Sequence, residues 1–338
     1  MLHRLRRAFQ ARRAPDAATP RVSVVITTYN RARSLAAALD GLARQTFENF
    51  EVIVVNGPST DDTESVLERY AAKIRIGRCA ERKVGAPRNI GVELAAGDII
   101  AFIDDDAVAR ASWLETLVSG YRDRSVGAVG GFVFDINNGV MQWEMCTCRR
   151  SGEVSVDTPP PYRRYHGRQA DPFLFFPACN MSARRSCIEA VGGFSPLYRS
   201  CYDDAEFISR VHEAGFGVVT LGAALVDHYV QPNAMRDRQR VIRDPYNLVH
   251  DTSVFIIQNR IPRRSFDDAC ATARRNAEVW RNAGRTRLSE GAFTAPEYER
   301  YSQRIDAGLR DGTAAAAAPR VMHRFPPPAP DMFRRFTS

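Results

Sequence analysis

Between Val22 and Asp106 the chain changes periodicity again and again, from short β-branched runs to stretches with helical spacing and back. VSVVITTY (22–29) is a compact apolar run, followed by RARSLAAALDGLARQ with Leu35, Leu39 and Leu42 on one helical face. FEVIVVN (50–56) reads as a buried strand, and Asp61 and Asp62 open a helix through SVLERYAA. IRIGRCA (74–80) is a weaker strand, VGAPRNIGVELAA a helix, and DIIAFID (98–104) a fourth strand. Helix 112–121 and strand 126–135 extend the series. Strands separated by helices of this length cannot pair as hairpins. They predict an α/β chain with a Rossmann-like, mostly parallel sheet covered by helices on both faces.

The rhythm breaks after Asp135. Residues 136–172 carry Gly, Pro, Trp and Tyr without periodicity and read as a long loop or small insertion. Helix-like stretches follow at 183–191 and 203–214, then short strands GVVTLG and ALVDHYV. From 236 to 310 the pattern is helical and Arg-rich, and the end of the chain is Ala- and Pro-rich. The expected organisation is a basic N-terminal segment (1–21), a catalytic domain (22–230), a helical C-terminal extension (231–311) and a flexible tail (312–338).

The net charge of +8 is unevenly placed. Residues 1–21 hold six arginines against one acid, and residues 231–338 hold nineteen against twelve, so the segment between them is mildly acidic. A nucleic-acid reader would carry a basic face on its folded domain, and none is expected here. An acidic centre with basic flanks fits a catalytic domain held near an anionic surface. Leu2, Leu5 and Phe9 lie among the N-terminal arginines, as in a short interfacial helix on an anionic leaflet, or equally a disordered basic tail. No apolar run is long enough to span a membrane, and the first twenty residues lack the apolar core of a signal peptide. Seven cysteines without framework spacing then predict reduced thiols and a cytoplasmic location, with the inner face of the membrane as the docking surface.

In open α/β sheets, ligands bind beyond the carboxyl ends of the strands. Three such ends are polar here: Thr27-Thr28-Tyr29-Asn30, Asn56-Gly57-Pro58-Ser59 and Asp104-Asp105-Asp106. Asp104 and Asp106, two apart on an extended chain, project to one side and can converge on a hard cation. Alternatively, the aspartates merely cap the next helix. Cys146 and Cys148 lack a second pair at zinc-site spacing and read as ordinary thiols.

Three ordered blocks carry a resemblance: VSVVITTYNRARSLAAALDGLARQTFENFEVIVVNGPSTDDT, RNIGVELAAGDIIAFIDDDA and NMSARRSCIEAVGGFSPLYRSCYDDAEFISRVHEAGF. Together they make residues 22–230 resemble a family 2 glycosyltransferase of the GT-A fold. The resemblance implies transfer of a sugar, with inversion, from a nucleotide diphosphosugar to an acceptor hydroxyl. It puts the DxD motif on Asp104 and Asp106, with Asp106 the first choice as direct ligand of Mn²⁺ or Mg²⁺. It also implies donor contacts from Thr27, Tyr29, Asn56, Arg88, Asp104 and Asp105. The general base falls on the acidic pair Asp203-Asp204, with Asp204 ahead. Relatives more often place Glu at the first of these positions and Asp where Asn56 stands. An amide oxygen at Asn56 can still accept from a pyrimidine N3–H, which points to a UDP- or dTDP-sugar. Arg88 either binds phosphate or orients the aspartates, and His228 either completes the metal site or is structural. Trp143, Tyr162 and Tyr165 lie in the region expected to face a carbohydrate or lipid-linked acceptor.

The residues are independently compatible with this chemistry. Inverting transfer needs one carboxylate as base and no enzyme nucleophile, and no Ser-His-Asp or Cys-His arrangement is evident. Two rivals remain. A nucleotidyltransferase on a similar fold would carry a Gly-rich phosphate loop after the first strand, which TTYNRARS lacks. A non-catalytic nucleotide-sugar-binding protein would not need both acidic pairs. The expected role is assembly of cell-surface polysaccharide or glycolipid.

Overall fold

The computed structural model describes residues 21–81, 83–157, 162–165, 171–232, 235–237, 241–260, 264–328 and 332–336. The first half follows the expected alternation: β1 (Val22–Thr28), α1 (Ala32–Leu42), β2 (Phe50–Asn56), α2 (Thr63–Tyr70), β3 (Arg75–Arg78), α3 (Gly85–Leu94) and β4 (Ile99–Asp104). Next come β5 (Ala107–Ala109), α4 (Trp113–Ser119) and β6 (Val126–Asp135). Short strands follow: β7 (Val140–Trp143), β8 (Met145–Cys148), β9 (Val154–Asp157), β10 (Tyr162–Tyr165), β11 (Phe173–Phe175) and β12 (Met181–Arg184). The chain continues through α5 (Arg185–Val191), α6 (Asp203–Glu213) and β13 (Gly217–His228). It closes with α7 (Tyr246–Gln258), α8 (Phe266–Ser289) and α9 (Ala295–Ala317).

The main sheet runs β10-β13-β6-β12-β4-β1-β2-β3. Neighbours are parallel from β4 to β3 and between β13 and β6, and β12 is antiparallel to both of its neighbours. Every residue of β2 is buried, as expected of a central parallel strand covered on both faces. On one face β1 and β2 pack against Leu35, Leu39 and Leu42 of α1, all essentially inaccessible. Each such burial contributes about 1.5–3 kcal/mol. The other face packs under α3, α5, α6 and α7 through Phe102, Phe194, Phe207 and Phe255.

Charge at the two ends of the sheet is handled differently. At the amino ends of the strands, Glu51 is fully buried and satisfied: it accepts from Ser23 Oγ at 2.6 Å and the Ala96 N–H at 2.7 Å, and pairs with Arg75 at 3.1 Å. That acid is structural. At the carboxyl ends Asp104 and Asp106 instead gather beside His228.

The structure differs from the expected pattern in several places: β5 is not among the expected strands, and β13 is one strand where two are expected. The described residues of 136–172 include four short strands: β7 pairs with β6, β10 with β13, and β8 joins β9 and β11 in a separate three-stranded sheet. Residues 183 and 184, expected to begin the helix 183–191, instead end β12, whose four residues are too short to show a period of two. The last helix runs past the expected boundary at 311 to Ala317. Beyond it the described residues, many of them exposed, are anchored to the domain at a few points. The His323 N–H donates to the Gly192 carbonyl at 3.0 Å, and the Phe336 N–H to the Phe50 carbonyl at 2.8 Å. Among the described residues no helix is long and apolar enough to cross a membrane. The basic segment 1–20 lies outside them.

Candidate active site

Parallel register sets the site. Thr27 of β1 lies beside Asp104 of β4, and Thr28 beside Asn56 of β2, so the three polar strand ends stand in one row. Beyond β1, Asn30 takes a left-handed conformation (φ 54°), and its side chain accepts from the Thr60 N–H at 2.7 Å. An asparagine tolerates that conformation better than most residues. Thr27 and Tyr29 remain half-buried at the cleft. Alternation then sorts the aspartates. Asp105 turns back into the sheet and accepts from Thr28 Oγ1 at 2.7 Å, and burial pushes its carboxyl up to about 7. Asp104 and Asp106 face outward together.

His228 reaches this pair although it lies 122 positions from Asp106 in sequence. β13 pairs antiparallel with β5, placing His228 opposite Ala107, and the Tyr229 N–H donates to the Asp106 carbonyl at 2.8 Å. Ligand atoms of Asp104, Asp106 and His228 all lie within 4.8 Å of one another. His228 Nε2 is 3.1 Å from Asp106 Oδ1, and its Nδ1 is 2.8 Å from Gln142 Oε1. Because that amide oxygen only accepts, it takes the Nδ1–H, so Nε2 faces the carboxylates; without a cation Nε2 is protonated too and donates to Asp106 Oδ1, which raises the affinity of His228 for its proton. Asp106 Oδ2 accepts from Arg31 Nη1 at 2.7 Å and from the Gln231 N–H at 3.3 Å. Against the cost of burial, His228 and Arg31 hold the Asp106 carboxyl below its ordinary value. Two carboxylates and an imidazole form a donor set suited to a hard or borderline divalent cation, such as Mn²⁺ or Mg²⁺.

The second acidic pair opens α6. Tyr202, with φ 62°, turns the chain sharply into the helix. The turn before it is fixed by α7: buried Asp251 accepts the N–H groups of Arg199, Ser200 and Cys201 at 2.8–3.1 Å. Asp203 is buried and ion-paired with Arg88 Nη1, while Arg88 Nη2 lies 3.7 Å from Asp104 Oδ1. The guanidinium is further held over the Phe194 ring, 5.6 Å from its centre. Asp204 is only half-buried, accepting from the N–H groups of Ala178 at 3.2 Å and Ala205 at 2.7 Å. Burial in the cleft raises both carboxyls above the usual range. Arg88 thus bridges the two acidic clusters, and Asp204 is the more accessible acid.

Other expected positions sit differently. Asn56 is buried, its amide oxygen accepting from Ser59 Oγ at 2.7 Å and its nitrogen donating to Glu64, so its amide is engaged by neighbours. Cys146 and Cys148 are buried free thiols in β8. Trp143 is half-buried on β7; Tyr162 and Tyr165 lie on β10, and their side chains fall outside the described residues. Three residues of the site escaped sequence reasoning: Arg31, Gln142 and Asp251. Arg31 had a signal, since it directly follows the first polar strand end; Gln142 and Asp251 had none.

The match that decides the family spans half the chain: residues 23–192 fit the Glycosyl transferase family 2 pattern. The chain belongs to glycosyl transferase family 2. Glycosyltransferase AglE of Haloferax volcanii is 35% identical over 220 residues, covering 63% of this chain and 68% of that one. Validoxylamine A glucosyltransferase of Streptomyces hygroscopicus is 37% identical over 108 residues, covering 30% of this chain. The O-antigen biosynthesis protein RfbC of Myxococcus xanthus is 26% identical over 239 residues, covering 67% of this chain. The match spans only 26% and 18% of the last two proteins. Among solved structures, the mannosyltransferase PcManGT of Pyrobaculum calidifontis, in complex with GDP-Man and Mn²⁺, has a TM-score of 0.51 at 20% identity. That likeness covers 94% of this chain and 93% of that one. TarS 1–349 of S. aureus with UDP-GlcNAc reaches 0.56 at 16% identity, covering 88% of each chain. These likenesses make this family 2 member's fold GT-A.

Proposed function

We propose that this family 2 protein is an inverting, divalent-metal-dependent glycosyltransferase that moves a sugar from a nucleotide diphosphosugar to a carbohydrate or lipid-linked acceptor hydroxyl. The observation that carries the reading is the placement, at one end of the sheet, of the Asp104–Asp106–His228 cluster and the half-buried Asp204, joined through Arg88 and Asp203. A divalent cation held by Asp104, Asp106 and His228 would neutralise the charge developing on the departing diphosphate.

Asp204 takes the proton from the acceptor hydroxyl as its oxygen bonds to the anomeric carbon, and the bond to the diphosphate oxygen breaks on the opposite face. Its raised affinity for a proton suits a base better than an ordinary surface carboxylate would. Asp203 holds Arg88, and Arg88 holds Asp104, so the two centres keep a fixed separation. Thr27 and Tyr29 line the donor side at the end of β1. A uridine or thymidine base is the first to test, the Asn56 position standing beside Thr28 at the donor end. Neighbours that bind GDP-Man and UDP-GlcNAc set the range of the donor panel. The relative named for O-antigen biosynthesis supports a role in surface polysaccharide assembly, and the basic flanks support docking on an anionic membrane from the cytoplasmic side.

Proton NMR of the product tests the mechanism. The anomeric coupling constant should report the configuration opposite to that of the donor sugar. Retention would refute the single-displacement reading and with it the role of Asp204.

A further inference from the structure

Both carboxylate oxygens of Asp106 are engaged by neighbours. Its Oδ1 faces His228, and its Oδ2 accepts from Arg31 Nη1 at 2.7 Å and from the Gln231 N–H. The Arg31 side chain is 23% exposed against 10% for Asp106, so the guanidinium covers the carboxylate from the solvent side. Its backbone is fixed independently: the Arg31 N–H reaches Thr63 Oγ1 at 3.3 Å, and Arg31 directly precedes α1. The side chain can therefore swing without disturbing the fold. Among the described residues its other side-chain bond is a weak one, Nη2 to the Pro232 carbonyl at 3.4 Å.

A guanidinium and a divalent cation held by the same carboxylate repel each other. The guanidinium fork that now meets a carboxylate also matches phosphate oxygens. Resting on the reading of Asp104, Asp106 and His228 as a cation site, we infer that Arg31 is an exchangeable counterion. It neutralises Asp106 in the free protein, leaves when a divalent cation binds, and then pairs with the diphosphate of the donor. This couples cation and donor binding through one side chain: the cation releases the group that the diphosphate needs.

The inference predicts shifts of opposite sign on removing the charge. The full chain and its Arg31→Met variant are titrated with Mn²⁺, free ion being read by electron paramagnetic resonance. Each is then titrated calorimetrically with UDP, dTDP and GDP at saturating Mn²⁺. Arg31→Met should bind Mn²⁺ about fivefold more tightly, on the scale of losing one partly exposed competing ion pair. The diphosphate that the wild type binds should bind about tenfold more weakly, having lost a charge-assisted contact. Arg31→Lys, which keeps the charge without the fork, should match the wild type for Mn²⁺ and still bind the diphosphate more weakly. It also serves if Arg31→Met does not fold. Mn²⁺ affinity that is unchanged or weaker in Arg31→Met, or diphosphate affinity unchanged in both variants, would overturn the inference while leaving the cation site intact. A wild type that binds no Mn²⁺ would remove the cation site itself, and the inference with it.

Discussion

Asp203 and Asp204 are adjacent and chemically identical, yet the fold gives them separate tasks. Asp203 is buried against Arg88; Asp204 accepts from backbone N–H groups and is half-buried. Asp204→Asn keeps the shape and both N–H partners' space but cannot take a proton. We expect kcat to fall about 10²–10⁴-fold with donor affinity nearly unchanged. Asp203→Asn should act differently, leaving buried Arg88 short of a counter-charge and costing about 3–5 kcal/mol of stability in a denaturant titration. A kinetic defect in Asp203→Asn larger than in Asp204→Asn, without loss of stability, would reassign the base. At this scale the sequence was informative where chemistry sits on contiguous residues: the aspartate triplet and the acidic pair were visible at once. Gln142 was not, because its importance comes from what the sheet brings beside it.

At the scale of elements, β1 to β4 were legible because β1, β2 and β4 are buried runs and helices separate the four strands; the three-residue β5 was not. The region from 136 to 184 was not. Its strands are three or four residues long, several at edges, and their partners lie far away: β10 needs β13, and β12 needs both β4 and β6. Nothing local encodes such pairing. The C-terminal helices read correctly as helices, but their service to the site did not. Through Asp251, α7 holds the turn that delivers Asp203 and Asp204. Asp251→Ala should leave three backbone N–H groups without their acceptor. At about 1–3 kcal/mol for each buried group left unpaired, stability should drop by about 3 kcal/mol or more. Thermal unfolding checks this. An unchanged melting temperature would mean that the turn holds its shape without α7.

Across the whole molecule, the described part of the C-terminal segment ties the two ends of the domain together. Arg320 donates to the Gln258 carbonyl at 2.6 Å, and His323 lies 2.6 Å from Glu93. Under this strap, Gly193 takes φ 67° with Phe325 so close that a Cβ would meet its ring at 2.5 Å. Phe336 is buried on Phe50, with ring centres 5.5 Å apart. A Pro-rich composition suggested a free tail, since composition does not report where single aromatics dock. Phe336→Ala should cost about 1.5–3 kcal/mol, the worth of one buried aromatic, and leave donor binding intact because the contact lies at the amino end of β2. A variant with wild-type stability would show that the contact does not contribute.

The central claim is that cation and donor are bound together at the ends of β1 and β4. Calorimetric titration of the full chain with a panel of UDP-, dTDP- and GDP-sugars, with and without Mn²⁺, addresses it directly. The account predicts binding of one nucleotide class that requires Mn²⁺ and disappears in Asp106→Ala, whose melting temperature stays close to that of the wild type. Donor binding that is equally tight without the cation, or that survives Asp106→Ala in the presence of Mn²⁺, would contradict it.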